Sequence, residues 1–362
     1  MNINFIISII AIFFAFIIPS VSYKIFFSSN NPFANKEKNI KSFFLPFIIT
    51  VTIISSAVYP FVFDKYDFLH QFNFIEMIIP FLLGILLFLC NKNSHISKYF
   101  PIFLSFASLA CSFAIPTETI SAILPIPALC TRLIVFAACF LFSYLYRYTN
   151  LGGATLGTQS ATIALGISVL GLIGAIPSFL GLLGMIICAA CFSIMVATYP
   201  PANKSISDND ASCLGFIIFA LLLWTAGEQA ASCAAIFTLY FITDFIWALA
   251  LRLTFIEQYS DIKENTSYRQ ALAQGISPQV ATSFLCRAQI LIIIFGSFQA
   301  YNSQPHSLLL ISALVSIWLT FKMRNLSENN KTIKDLNKEV LEDLQARINS
   351  IKQYSNKEED NQ

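Results

Sequence analysis

Tyr199-Pro200-Pro201-Ala202-Asn203-Lys204-Ser205-Ile206-Ser207-Asp208-Asn209-Asp210-Ala211-Ser212-Cys213-Leu214-Gly215-Phe216 is a polar run with two aspartates, set between two long apolar ones. Backbone polar groups left unsatisfied in hydrocarbon are too costly, so a polar island between membrane spans lies at a surface or lines a cavity. The composition around it makes the spans real candidates. Of 362 residues 56% are hydrophobic and 12% charged, with 36 phenylalanines, and mean hydropathy is +0.68. Ordinary soluble domains carry about 25% charged residues. The chain reads as an all-α, polytopic integral membrane protein. Its net charge of +2 is too small to point to nucleic acid.

Apolar segments long enough to cross a bilayer as helices lie near 3–23, 43–63, 73–90, 99–115, 130–146, 160–176, 179–198, 213–226, 229–250, 281–300 and 306–321, about eleven in all. The first has no basic flank and no small-residue cleavage site, so it reads as a span. Lysines and arginines set the orientation. With the N-terminus outside, nineteen of the 22 fall in the connections at 24–42, 91–98, 147–159, 199–212 and 251–280 or in the tail. Only Lys65, Arg132 and Arg287 fall elsewhere. That places these connections and the C-terminus in the cytoplasm. Two regions follow: a transmembrane domain over 1–321 and a charged, amphipathic helical tail over 322–362.

All the longer polar connections share that face. A transporter needs polar or broken elements near the midplane and access from both sides, so a one-sided cytoplasmic site is the better expectation. Arg132 and Arg287 are close enough to span ends to snorkel. Asp244, near the end of the ninth span, is a candidate for holding a helix end or Arg252. His95 reads as a solvated side chain. Cys188 and Cys191 form a C-x-x-C inside a helix with no charged neighbour, which favours packing over metal or redox chemistry.

The polar run also resembles a hallmark loop. Pro200-Pro201-Ala202, Asp208 and Leu214-Gly215-Phe216 match P-P-A-x-x-F-M-G-D-x-G-S-x-x-L-G-F in order and spacing. That loop belongs to the polyprenyl-phosphate N-acetylhexosamine-1-phosphate transferases (glycosyltransferase family 4). Ser205, Ser207 and Asp210 depart from it. Before the sixth span the family has N-x-x-N-x-x-D-G-x-D-G. Here Arg147 to Gly157 keeps Asn150 and Gly157, with Gly153 and Leu156 at the acidic positions. After the ninth span, Asp244, Arg252, Lys263 to Arg269 and Gly275 keep the frame of a motif whose histidines are absent. The family's paired aspartates at the end of the third span fall on Leu87-Phe88.

The resemblance implies phosphoryl transfer of a sugar-1-phosphate from a UDP-sugar to polyprenyl phosphate at the cytoplasmic face of the inner (plasma) membrane, for cell-envelope polysaccharide. It implies Asp208 as catalytic residue and Mg2+ ligand, and Asp210 as a substitute second ligand if the backbone there is not helical. Asn150, Arg252 and Arg269 are then substrate-binding residues; a helix-end cap for Asn150 and membrane anchoring for the arginines remain the plainer alternatives. Magnesium takes hard oxygen ligands, often one or two carboxylates plus substrate phosphates. The partners implied are polyprenyl phosphate, the UDP-sugar and membrane lipids, and a homodimer is compatible with them. The missing acidic and histidine positions leave a second expectation: an inactive relative kept as a membrane interaction or lipid-binding protein.

Overall fold

The computed structural model describes residues 11–17, 74–92, 97–114, 127–151, 154–199, 206–254, 262–301 and 307–326. The expected span at 43–63, His95, the Pro200-Pro201-Ala202 triplet and the tail beyond 326 lie outside them. All ordered elements among the described residues are helical: α1 (Phe74–Lys92), α2 (Phe100–Ala114), α3 (Ala128–Tyr146), α4 (Thr155–Leu172), α5 (Ser178–Thr198), α6 (Asp208–Thr225), α7 (Ala231–Thr254), α8 (Ser267–Ala273), α9 (Pro278–Tyr301) and α10 (Ser307–Arg324). Six stretches among them, Ala128–Thr149, α4, α5, α6, α7 and α9, are long and apolar enough to cross a membrane. The protein is a helical membrane protein.

The packing inverts the rule for water-soluble folds. In α4 and α6, 83% and 78% of the spanning window is buried, against 22% in α3. Yet α4 and α6 carry the polar and small residues, such as Thr158, Ser160, Thr162, Gly166 and Ser212. Lipid offers no hydrophobic drive for burying grease, so small residues that permit close contact go to the interior. Gly171 of α4 meets Gly181 of α5 so closely that a Cβ on Gly171 would lie 2.4 Å from the Gly181 Cα. Near the other end of the pair, a Cβ on Gly157 would lie 2.5 Å from the Met195 backbone nitrogen.

Local chemistry fixes where the helices stop. α4 ends at Leu172, short of the expected 176, because Gly174 turns left-handed (φ 76°). The amides of Ala175 and Gly174 then donate to the Leu170 and Gly171 carbonyls, closing a Schellman turn. Gly275 (φ 90°) ends α8 in the same way, with Ile276 and Gly275 donating to Ala271 and Leu272. At the other extreme, α6 starts at Asp208, five residues before the expected span, because Ser207 caps it. The expected 226–229 connection is a π-helical turn, Ala226–Ala230. The chain folds back there, since Phe219 and Phe241 both pack on Phe142.

Those boundaries gather the polar connections at one end of the bundle. Hydrogen bonds join Asn91 and Ser97 to Asn209, Asn150 and Lys263 to Asp208, and Arg324 to the Asn265 carbonyl. Five segments that the lysine and arginine count put on one side therefore meet in space.

Candidate functional site

The start of α6 is the centre of that end. Ser207 adopts an extended backbone (φ −68°, ψ 149°), and its hydroxyl accepts the Asp210 amide at 3.2 Å. The Ser207 hydroxyl donates in turn to Asp210 Oδ2 at 2.6 Å. A short side chain with an acceptor before a helix, and an acid three residues on, is the capping-box pattern with aspartate in place of glutamate. Here it satisfies the Asp210 amide, one of those that the first helical turn leaves without partners, and the acid returns to the capping hydroxyl.

Asp210 is completely buried. Its Oδ1 accepts Asn91 Nδ2 at 2.7 Å, and Asn91 Oδ1 accepts both Ser97 Oγ (3.0 Å) and Asn209 Nδ2 (2.9 Å). Metal ligation by Asp210 requires a non-helical backbone, and that condition fails: the backbone is helical there, and the two carboxylate oxygens serve the cap and Asn91. Leu87 and Phe88 are core residues, 2% and 1% exposed. The polar contribution of α1 comes one turn later, from Asn91.

Asp208 has the opposite surroundings. Its side chain is 37% exposed. Oδ1 accepts Lys263 Nζ at 2.5 Å and Asn150 Nδ2 at 3.1 Å, and the Arg147 guanidinium stands 4.0 Å from Oδ2. Asn150 also donates to the Ile206 carbonyl at 2.6 Å, tying the end of α3 to the approach to α6. Arg147 is held from behind by aromatic faces, 4.9 Å from the Tyr144 ring centre and 5.8 Å from that of Tyr148.

The turn that carries Lys263 is fixed from both sides. Asp244 Oδ1 on α7 accepts the Ser267 amide at 2.8 Å and so holds the first turn of α8. Arg324, at the end of α10, donates to the Asn265 carbonyl. Tyr268, on α8, donates to or accepts from Thr282 at 3.2 Å, and burial pushes its phenol up from the ordinary range. A small pocket of mixed lining beside this turn, with Gln159, Asp244 and Thr266 facing Leu151, Phe241 and Phe245, has room for about one ordered water.

Of the residues expected in the site, Asn150 and Asp208 meet. Arg252 is exposed on the last turn of α7, and neither it nor Arg269 makes an ion pair with a carboxylate among the described residues. The Arg269 Nε is buried without a hydrogen-bond partner. Lys263 and Arg147 take the places expected of those two arginines. Their signal was present in the sequence, since both flank the matched motif positions, but nothing in spacing alone ranks one loop cation above another.

Magnesium does not fit the donor set that the described residues provide. They hold no group of three or more His, Cys, Asp or Glu side chains placed for a metal. The partly exposed carboxylate of Asp208 carries an ammonium at 2.5 Å and faces a guanidinium. A divalent ion at Asp208 would have to displace Lys263 and then sit close to two cations, a repulsion that solvent screening reduces but does not remove. No protein-family model matches the chain, and no curated protein matches it significantly.

Proposed function

We propose that the protein acts on phosphate-bearing substrates at the cytoplasmic face of the plasma membrane, as a divergent transferase of a sugar-1-phosphate from a UDP-sugar to polyprenyl phosphate. One observation carries this reading. The three segments that resemble the family's motifs, around Asn150, Asp208 and Lys263, lie 58 and 55 residues apart in the chain and converge on one carboxylate. Chance similarity of three loops gives no reason for them to meet.

In this reading Lys263 and Arg147 gather the negative charge of the diphosphate, and Asn150 fixes the loop beside it. A guanidinium backed by aromatic rings is suited to planar, bidentate contact with phosphate oxygens. An acceptor phosphate oxygen forms a bond to the β-phosphorus of the donor. The bond from that phosphorus to the bridging oxygen breaks, and UMP leaves with the electron pair. Such chemistry depends on positioning and charge stabilisation. Before the diphosphate binds, Asp208 pairs with Lys263.

A second reading, a phosphate-lipid-binding relative without turnover, is favoured by one specific observation: among the described residues Asp208 is the carboxylate that pairs with Lys263 and Arg147, while Asp210 is sealed in the cap. The test incubates membranes carrying the protein with undecaprenyl phosphate and labelled UDP-N-acetylhexosamines, with magnesium and with chelator. UMP release and labelled lipid that disappear in Lys263→Ala are the expected result. Silence across donors from folded protein removes the transferase reading and leaves the second.

A further inference from the structure

We propose that Lys263 is the resident cation of this site, and that phosphate or diphosphate groups bind to Lys263 and Arg147 without a divalent metal. Asp208 is the internal anion that the ligand replaces. The inference rests on reading the site as one for phosphate-bearing ligands, and it departs from the metal chemistry that the resemblance implies.

Three features of the geometry carry it. First, the cations are held independently of Asp208. Arg147 is backed by Tyr144 and Tyr148, and the Lys263 turn is pinned by Asp244 and Arg324 from two other helices. Removing the carboxylate therefore leaves the positive pair in place. Second, the cluster is open: the side chains of Asp208, Arg147 and Lys263 are 37%, 31% and 18% exposed. An incoming anion can reach the ammonium. Third, two cations, Lys263 and Arg147, stand at the same carboxylate, Asp208, while both oxygens of Asp210 accept other donors. A phosphate between the two cations is attracted by both, whereas a divalent cation is repelled by both.

Exchange of one anion for another predicts a reversal of sign that separates it from metal ligation. In the purified full-length protein in nanodiscs, binding of UDP and of undecaprenyl phosphate is measured separately, with chelator and with magnesium. The two arms distinguish a nucleotide from a lipid source of the phosphate. With chelator, at least one probe is expected to bind within about threefold of its affinity in magnesium. Lys263→Ala is expected to weaken that binding by about tenfold or more, as loss of a charge-assisted contact does. Lys263→Arg should largely restore it.

Asp208→Asn removes the competing charge and keeps the shape, so it should tighten binding several-fold in chelator. A metal ligand would show the reverse, with binding lost in chelator and in Asp208→Asn, and that result overturns the proposal while leaving the transferase reading intact. Absence of binding for both probes under both conditions overturns the reading of the site itself and the proposal with it. If Lys263→Ala fails to fold, Asp208→Asn alone still gives opposite signs under the two alternatives.

Discussion

Asp208 and Asp210 stand two residues apart at the start of one helix, and their surroundings have almost nothing in common. Asp210 faces α1 and accepts the neutral donors Asn91 and Ser207, out of reach of water. Asp208 faces the ends of α3 and the 262–268 segment, partly open, with two cations. The difference follows from helical geometry. Residues two apart point to different faces, so one acid is sealed in the cap and the other is left partly open beside two cations. Identical residue types thus take a buried and an open position by about half a turn.

The sharpest way to break this comparison is to remove each acid in turn. Asp210→Ala leaves the Asn91 amide and the Ser207 hydroxyl without their buried acceptor and dismantles the cap. Together these should cost about 2–4 kcal/mol of stability, read as a large drop in apparent melting temperature in detergent. Asp210→Asn keeps the shape and one acceptor, and should cost less. Asp208→Ala should cost well under half as much as Asp210→Ala. Equal losses at the two positions would mean that the assigned roles are wrong.

One step smaller is Asn91→Ala. Asn91 is 2% exposed and joins Asp210, Ser97 and Asn209. Its loss should cost about 1–2 kcal/mol, the range for a buried hydrogen-bonding group. It should leave phosphate binding at Lys263 within about twofold, because the affected network lies on the Asp210 face. A large loss of binding in this variant would show that the two faces are coupled.

Much of this was legible in the sequence, for reasons that differ by feature. Helical class and one-sided polarity follow from span length and from the solvation cost of charge, which act residue by residue. The convergence of Asn150 on Asp208 was readable because both sit at fixed offsets in matched segments. Boundaries were less readable. α6 starts five residues before the apolar run because hydropathy scores Asp208, Asn209 and Asp210 as loop, whereas the cap makes them a first helical turn. The order of matched motifs points to Leu87 and Phe88, but the helix rotates its polar residue, Asn91, into place one turn later. Lys263 and Arg252 are indistinguishable as basic loop residues. Only the pinning of the 263–267 turn by Asp244 and Arg324 separates them.

The smallest expected effect tests the exposed side of the comparison. Asp208→Asn keeps volume and one acceptor oxygen, and it removes a charge from a pair that water reaches. Partly exposed ion pairs contribute about 0.2–1 kcal/mol, and here the loss is offset because Asn150 can still donate to the new amide oxygen. The variant should therefore melt close to the parent at low salt, and the remaining difference should shrink as salt screens the Lys263 interaction. At Asp210 the corresponding change should be insensitive to salt, since burial shields it and its contacts with Asn91 and Ser207 from ions. A salt-dependent penalty at Asp210, or a salt-independent one at Asp208, would exchange the two assignments. Near-neutral stability also makes Asp208→Asn informative for binding, because a change in phosphate affinity then reports on the charge at the site and not on a damaged fold.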